Sequence, residues 1–73
     1  MSIGSEIKRV RLALLMDQTS FGEAVGASFT SVNRWENDRG KPSLKYLRAI
    51  SALCAEKGIT FDATMGTEVR NIG

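Results

Sequence analysis

The sequence predicts a single all-α domain of four helices, and two observations support this prediction. Apolar residues recur every three or four positions in four separate segments, which is the spacing of one face of a helix. Between these segments lie residues that start or stop helices, with Asp17, Ser28 and Ser43 as N-caps and Gly26 and Gly58 as stops. A chain of 73 residues has room for one such domain.

The four expected helices run over about residues 5–15, 18–25, 29–37 and 44–57. Each has one apolar stripe that would face a shared core. The residues expected to face inward are Ile7, Val10, Leu14 and Leu15 in the first helix, Phe21, Ala24 and Val25 in the second, Ala27, Val32 and Trp35 at the third, and Leu44, Leu47, Ile50, Leu53 and Cys54 in the fourth.

The last part of the chain has a different pattern. Residues 59–63 and 67–72 are rich in β-branched side chains, with Met65 and Gly66 between them, which favours a short β-hairpin. A hairpin alone is marginally stable in water, so a frayed tail is the alternative. We therefore divide the chain into a helical domain over residues 1–58 and a C-terminal extension over residues 59–73, which could serve as a strand or dimerisation segment.

The residue types present exclude several kinds of function. Cys54 is the only cysteine and the chain has no histidine, so we expect neither a disulfide nor a zinc site. The lack of histidine also removes the usual general base, and no phosphate-binding loop or dinucleotide fingerprint occurs. These features indicate a binding module that uses no metal and no cofactor, and not an enzyme.

Charge and hydropathy indicate where the protein is located and what kind of partner it can bind. No apolar stretch approaches the roughly 20 residues that span a bilayer, and the first residues show no signal-peptide pattern. We therefore expect a cytoplasmic protein without a membrane partner. The net charge of +2 permits nucleic-acid binding without demanding it.

The second and third helices form a candidate helix-turn-helix motif. Both are short, and only Gly26 and Ala27 separate the second helix from the N-cap of the third. In such a motif the second helix of the pair can lie in the major groove of DNA while the first crosses the backbone. The spacing alone is not decisive, because many small helical bundles contain a tight helix pair.

The third helix has a polar face that suits base recognition. On a helical wheel Trp35 lies on the buried side, whereas Thr30 and Arg34 point the opposite way with Ser31 and Asn33 on the flanks. Arginine can bond guanine, asparagine can bond adenine, and threonine can bond a base or touch a thymine methyl group. This face is therefore a candidate reader of base sequence.

Several short stretches occur together in an order typical of one family. They are IKRVR from Ile7, the single residue Gln18, AVG up to Gly26, VNRWEN from Val32 and KPS from Lys41. In this combination the sequence resembles the lambda-repressor/Cro-like family of helix-turn-helix regulators, the XRE class, over about residues 7–58. The resemblance implies a compact domain of four to five helices that binds double-stranded DNA.

The resemblance also implies a role for each matching residue. The positions expected to read bases are Ser28, Phe29, Thr30, Asn33 and Arg34. The positions expected to contact the DNA backbone are Gln18, Thr19, Ser31, Asn37 and Lys41. Arg11 and Glu36 match a partly buried ion pair that ties the third helix to the first.

Some of these positions have simpler explanations or depart from the family pattern. The polar residues of the third helix could be ordinary surface, namely Thr30, Ser31 and Arg34. Phe29 suits the edge of the core as well as it suits a DNA groove. Leu15 and Asp38 stand where glycines usually close the first and third helices, so we expect the turn at Leu15 to be built differently and the turn at Asp38 to be altered.

Together these observations predict a sequence-specific DNA-binding protein, of the kind that regulates transcription as a repressor does. One short recognition helix reads few base pairs, so we expect a homodimer on a two-fold symmetric operator, joined through the fourth helix or the C-terminal extension. Two alternatives stay open: an antitoxin-like protein that also binds a partner protein, and a protein-interaction module on the same scaffold. A steep loss of binding with salt would favour DNA.

Overall fold

The computed structural model describes residues 2–66, which fold into four α-helices followed by one turn of 3-10 helix. The elements are α1 (Ile3–Ala13), α2 (Gln18–Val25), α3 (Phe29–Glu36), α4 (Leu44–Lys57) and the 3-10 turn (Ala63–Gly66). No strand occurs within residues 2–66, so the predicted all-α fold is confirmed. No helix in this part of the chain has both the length and the apolar character needed to cross a bilayer.

One apolar core joins all four helices. α3 packs against both α1 and α2, and α2 also packs against α4. The buried apolar residues are Ile3, Ile7, Val10, Phe21, Val25, Val32, Trp35, Leu47, Ile50 and Cys54. Trp35 contacts the ring of Tyr46 with a centroid separation of 5.2 Å, so the last turn of α3 rests on the first turns of α4.

Three of the expected inward-facing residues are instead exposed. Leu15 is 93% exposed because α1 ends at Ala13, so Leu15 lies beyond the helix and no longer follows its apolar stripe. Ala24 lies on the solvent side of α2, whose buried face is formed by Phe21 and its neighbours. Leu44 is 55% exposed because it begins α4 one turn before the helix meets the core.

The N-termini of the first three helices are capped by side chains. Asp17 Oδ1 accepts the N–H of Ser20 at 2.7 Å, and Ser28 Oγ accepts the N–H of Ser31 at 3.1 Å, as the sequence predicted. Ser2 caps α1 in the same way, so α1 begins earlier than expected. Ser43 precedes α4 in an extended conformation but forms no cap hydrogen bond through its side chain.

All four helices end in the same pair of backbone hydrogen bonds, and at each end one residue adopts a left-handed backbone conformation. Gly26 and Gly58 fill this position after α2 and α4, with φ of 80° and 74°. Leu15 and Asp38 fill it after α1 and α3, with φ of 60° and 57°. The prediction of a differently built turn at Leu15 was therefore wrong, because leucine adopts the geometry that glycine usually supplies.

The hydrogen bonds around Leu15 define this motif. The N–H of Leu15 donates to the carbonyl of Leu12 at 3.0 Å, and the N–H of Met16 donates to the carbonyl of Arg11 at 3.2 Å. They satisfy two of the carbonyls that a helix end leaves without partners. A side chain at φ of 60° costs roughly 1–2 kcal/mol, so Leu15 holds the motif under backbone strain.

The segment after α4 lies against α1 and does not form the first strand of a hairpin. Residues 59–62 have no regular structure, and the 3-10 turn follows them; the expected second strand over residues 67–72 lies outside the described residues. The N–H of Asp62 donates to Glu6 Oε2 at 2.9 Å, and Arg9 Nη2 donates to the carbonyl of Thr60 at 2.7 Å. Side chains of α1 therefore satisfy backbone groups that a partner strand would otherwise bond.

Glu6 is the buried charge that makes this attachment, and the sequence analysis did not identify it. Its side chain is 5% exposed and accepts two hydrogen bonds from Arg9, at 3.0 and 2.8 Å. These bonds hold the pKa of Glu6 below its ordinary value, although burial opposes them. Glu6 is therefore ionised at neutral pH and fixes the C-terminal segment to α1.

Replacing Leu15 with glycine should stabilise the protein. Glycine relieves the left-handed strain and gives up almost no burial, so the free energy of unfolding should rise by about 0.5–1 kcal/mol in chemical denaturation. Leu15→Ala is the matched control, because alanine shortens the same exposed side chain but keeps the Cβ atom, and it should change the free energy of unfolding little. Equal effects of the two substitutions would contradict the strain at Leu15.

Candidate nucleic-acid interface

α2 and α3 are joined by a tight turn that fixes the direction of α3. Gly26 makes the turn with φ of 80°. A Cβ atom at Gly22 would lie 2.6 Å from the carbonyl oxygen of Ala27, so this position in α2 admits only glycine without movement of the turn. On its inner side α3 is anchored by Val32 and Trp35, which are 0% and 5% exposed.

The outer side of α3 is polar and open to solvent. Thr30 and Arg34 are exposed, and Ser31 and Asn33 are half-buried on the flanks, as the helical wheel predicted. Phe29, the first residue of α3, is 52% exposed, so it lies at the surface and not in the core. We call the side chains of Phe29, Thr30, Asn33 and Arg34 the outer face of α3.

Arg11 and Glu36 form an ion pair that joins α1 to the end of α3. Arg11 Nε donates to Glu36 Oε2 at 2.6 Å, and Arg11 Nη2 donates to Glu36 Oε1 at 3.0 Å. The two side chains are 11% and 4% exposed, and this bidentate contact with Glu36 raises the pKa of Arg11 above its ordinary value. Arg11 Nη1 also donates to the carbonyl of Met16 at 3.0 Å, so the pair holds the loop before α2 as well.

The side chain of Gln18 continues this network to the outer face of α3. Gln18 Nε2 donates to Glu36 Oε1 at 3.1 Å, and Asn33 Nδ2 donates to Gln18 Oε1 at 3.3 Å. Asn37 Nδ2 donates to the backbone carbonyl of Asn33 at 2.8 Å. Four side chains from α1, α2 and α3 therefore form one hydrogen-bonded chain, which we call the Arg11–Glu36–Gln18–Asn33 network.

Arg34 is held against the turn that follows α3. Arg34 Nη2 donates to the carbonyl of Arg39 at 3.2 Å. Gly40 lies beneath the guanidinium, since a Cβ atom there would come within 3.4 Å of Arg34 Nη2. One of the five N–H donors of Arg34 is thereby used in the protein, and the exposed side chain keeps the others for a ligand.

The remaining predicted site residues lie around this face with different surroundings. Ser28 and Ser31 bond each other, because Ser28 Oγ donates to Ser31 Oγ at 3.1 Å in addition to capping α3. Ser28 thus has a structural role at the start of the helix. Thr19, in the first turn of α2, is exposed, and so is Lys41 beyond α3.

The structure offers no alternative metal or thiol site in the part that it describes. Within residues 2–66 no group of histidine, cysteine, aspartate or glutamate side chains could hold a metal ion. Cys54 is buried in the core, and burial raises the pKa of its thiol, so the side chain stays protonated and acts as a small apolar residue.

The fold and the arrangement of α2 and α3 define a helix-turn-helix domain, and comparison with known proteins agrees. A family model described as helix-turn-helix matches residues 7–59, which is most of the chain. The chain therefore belongs to this family, and the resemblance to its lambda-repressor-like XRE class is confirmed.

One solved structure shows the same fold. It is the P22 c2 repressor protein in complex with synthetic operator 9T in the presence of Tl⁺. The TM-score is 0.68 and the sequence identity is 29%, over 71% of this chain and 79% of that one. A comparison with curated proteins gave no match.

Removing the charge of Glu36 should destabilise the protein strongly. Glu36→Ala leaves the guanidinium of Arg11 largely buried without its counter-charge, so the free energy of unfolding should fall by about 3 kcal/mol in chemical denaturation. Glu56→Ala, at an exposed position of α4, is the control and should change it by less than about 0.5 kcal/mol.

The double variant Arg11→Met with Glu36→Leu tests the origin of that loss. Apolar side chains of similar volume leave no unpaired charge, so the double variant should recover most of the lost free energy of unfolding. A double variant as unstable as Glu36→Ala would show that the loss comes from packing and not from an unpaired charge.

Proposed function

We propose that this protein binds double-stranded DNA in a sequence-specific manner and regulates transcription as a repressor does, with α3 in the major groove. The observation that supports this proposal most strongly is the outer face of α3. It presents polar, exposed side chains on a helix whose opposite side is buried and whose end is fixed by an ion pair. A helix of this kind can bring base-reading groups to a groove without first having to be ordered.

The outer face of α3 has the chemistry of direct base recognition. Arg34 can donate two hydrogen bonds to O6 and N7 of guanine. Thr30 can bond a base edge or touch a thymine methyl group, and the exposed ring of Phe29 offers apolar contact to a methyl group or a sugar. These side chains would read the bases of one half-site.

The residues around the outer face of α3 are suited to contacting the DNA backbone. The first turn of α2 exposes Thr19 beside Gln18, where backbone N–H groups and the helix dipole favour a phosphate. Asn37 and Lys41 follow α3 and would lie along the same backbone. Several further basic residues are exposed between the end of α3 and the middle of α4, namely Arg39, Lys45 and Arg48.

The P22 c2 repressor complex supports the proposal of DNA binding, since that protein was solved with an operator and has the fold of this chain. DNA binding by the present chain is inferred from this likeness together with the chemistry of its own α3.

The protein would act as a homodimer, because one helix of eight residues reads only a few base pairs. α4 offers a surface for such an association. Its first turn exposes Leu44 beside a mostly apolar groove of about 210 Å³. The groove is lined by Leu44, Leu47, Arg48, Ser51 and Ala63. A second copy of the chain could bury this surface and place two copies of α3 one helical turn of DNA apart.

Selection from a random duplex pool tests the proposed DNA binding. The wild-type protein should enrich a two-fold symmetric site, and its affinity should fall steeply between low and moderate salt as counterions are released. Arg34→Ala should weaken binding to that site by about 10- to 100-fold and lose the preference at one base pair of each half-site.

Lys57→Ala is the matched control, because it also removes one positive charge but lies at the far end of α4. It should keep the base preference of the wild type. Binding that is equally weak for every sequence and indifferent to Arg34 would overturn the proposal and favour a protein partner.

Sedimentation velocity tests the proposed dimer. Leu44→Lys should place a charge in the apolar surface of α4 and shift the protein from dimer to monomer at micromolar concentration. Leu12→Lys is the control, since Leu12 is similarly exposed at 54% but lies on α1. A wild-type protein that stays monomeric, or a dimer that both substitutions leave intact, would contradict dimerisation through α4.

A further inference from the structure

The Arg11–Glu36–Gln18–Asn33 network fixes the orientation of two side-chain amides. An ionised carboxylate only accepts hydrogen bonds, so Gln18 must turn its NH₂ group toward Glu36. The carbonyl oxygen of Gln18 then faces Asn33, which must turn its own NH₂ group toward Gln18. The charge of Glu36 therefore sets the orientation of Asn33 indirectly, through the amide of Gln18.

This orientation leaves the carbonyl oxygen of Asn33 available. No hydrogen bond to Asn33 Oδ1 occurs within residues 2–66, and no buried side-chain oxygen or nitrogen in this part of the chain lacks a partner. The oxygen is consequently open to solvent, on the half-buried flank of the outer face of α3. Asn33 thus presents a hydrogen-bond acceptor, next to the one N–H of its amide that Gln18 does not use.

We propose that Gln18 is a positioning residue that makes Asn33 selective for a base with an exocyclic amino group. This inference rests on the proposed entry of α3 into the major groove. There adenine and cytosine present an amino donor, whereas guanine and thymine present a carbonyl acceptor. A freely rotating asparagine could present its oxygen alone or its two N–H groups to a base. Asn33 held by Gln18 always presents its oxygen and only one N–H, which favours bases that carry an amino donor. Adenine fits best, because its N7 can also accept the remaining N–H of the amide.

The same glutamine keeps a group for the DNA backbone. One hydrogen of Gln18 Nε2 is used by Glu36, and the other is left for a phosphate near the first turn of α2. The two contributions of Gln18 differ in what they change. Loss of a phosphate contact weakens binding to every sequence alike, whereas loss of the hold on Asn33 changes the preference at one base pair only.

The test measures the affinity of the full chain for its selected site and for every single-base variant of that site. The base pair at which Asn33→Ala loses preference identifies the contact of Asn33. There the wild type should prefer adenine or cytosine by about tenfold. Gln18→Met keeps the length of the side chain but removes both hydrogen bonds, and it should reduce that preference to about twofold. The variant that combines Gln18→Met with Asn33→Ala should show the same base preference at that position as Asn33→Ala alone, because the two residues act on the base through one contact.

Thr19→Ala is the control for a pure backbone contact. Thr19 is exposed beside Gln18 in the first turn of α2, so its loss should weaken binding to all variants of the site and leave the base preferences unchanged. Circular dichroism of each variant verifies that it is folded. Nitrogen-15 NMR of the wild type gives a readout that needs no variant: slowed exchange of the side-chain NH₂ protons of Gln18 and Asn33 is expected.

The outcomes separate this inference from the proposed function. A wild type without any preferred site would overturn both. If the wild type has a preferred site and Gln18→Met still distinguishes the bases at the position that Asn33 contacts, only the positioning role of Gln18 would be overturned. A preference of Asn33 for guanine or thymine would overturn the orientation, as would fast exchange of both NH₂ groups in the free protein.

Discussion

The ion pair between Arg11 and Glu36 is the interaction on which the arrangement of the outer face depends. It lies where α1, the loop at Met16 and the end of α3 meet, and both side chains are nearly buried. A buried pair of this kind contributes little net stability compared with apolar residues, but losing one partner is costly. Its value here is geometric, because the carboxylate of Glu36 also fixes the amide of Gln18 and, through it, Asn33.

α3 combines two requirements within eight residues. Its inner side contributes Val32 and Trp35 to the core, so the helix cannot shift without exposing apolar surface. Its outer side contributes polar groups that neighbouring residues hold in place; Arg34, for example, donates to the backbone carbonyl of Arg39. The proposed DNA-binding surface is therefore ordered before a ligand arrives, which reduces the entropy lost on binding.

Most of the fold could be predicted from the sequence, because local signals define it. The N-caps at Asp17 and Ser28, the stop at Gly26 and the helical spacing of the core residues act within one or two turns of chain. Long-range contacts could not be predicted in this way. Glu6 reads as a surface residue of a helix until Asp62 and Arg9 are placed beside it in space.

In the candidate site, too, the features set by local sequence could be predicted and the long-range contacts could not. The exposed polar side of α3 follows from the helical wheel, since Thr30 and Arg34 lie opposite Trp35. The bond between Gln18 and Asn33 joins two elements and depends on how α2 crosses α3, which no spacing within the sequence encodes. Leu15 shows the opposite failure, because its residue type predicts another turn, whereas its φ of 60° closes α1 with the hydrogen bonds that a glycine usually allows.

An NMR titration of the isotopically labelled protein with its selected duplex would test the central claim most directly. If α3 is the reading helix, the largest chemical-shift changes will occur at the outer face of α3 and in the first turn of α2, and the buried residues of α4 will change little. Changes concentrated around Leu44 and Arg48 on α4, with α3 unaffected, would contradict the role of α3 and indicate that another surface of this domain binds its partner.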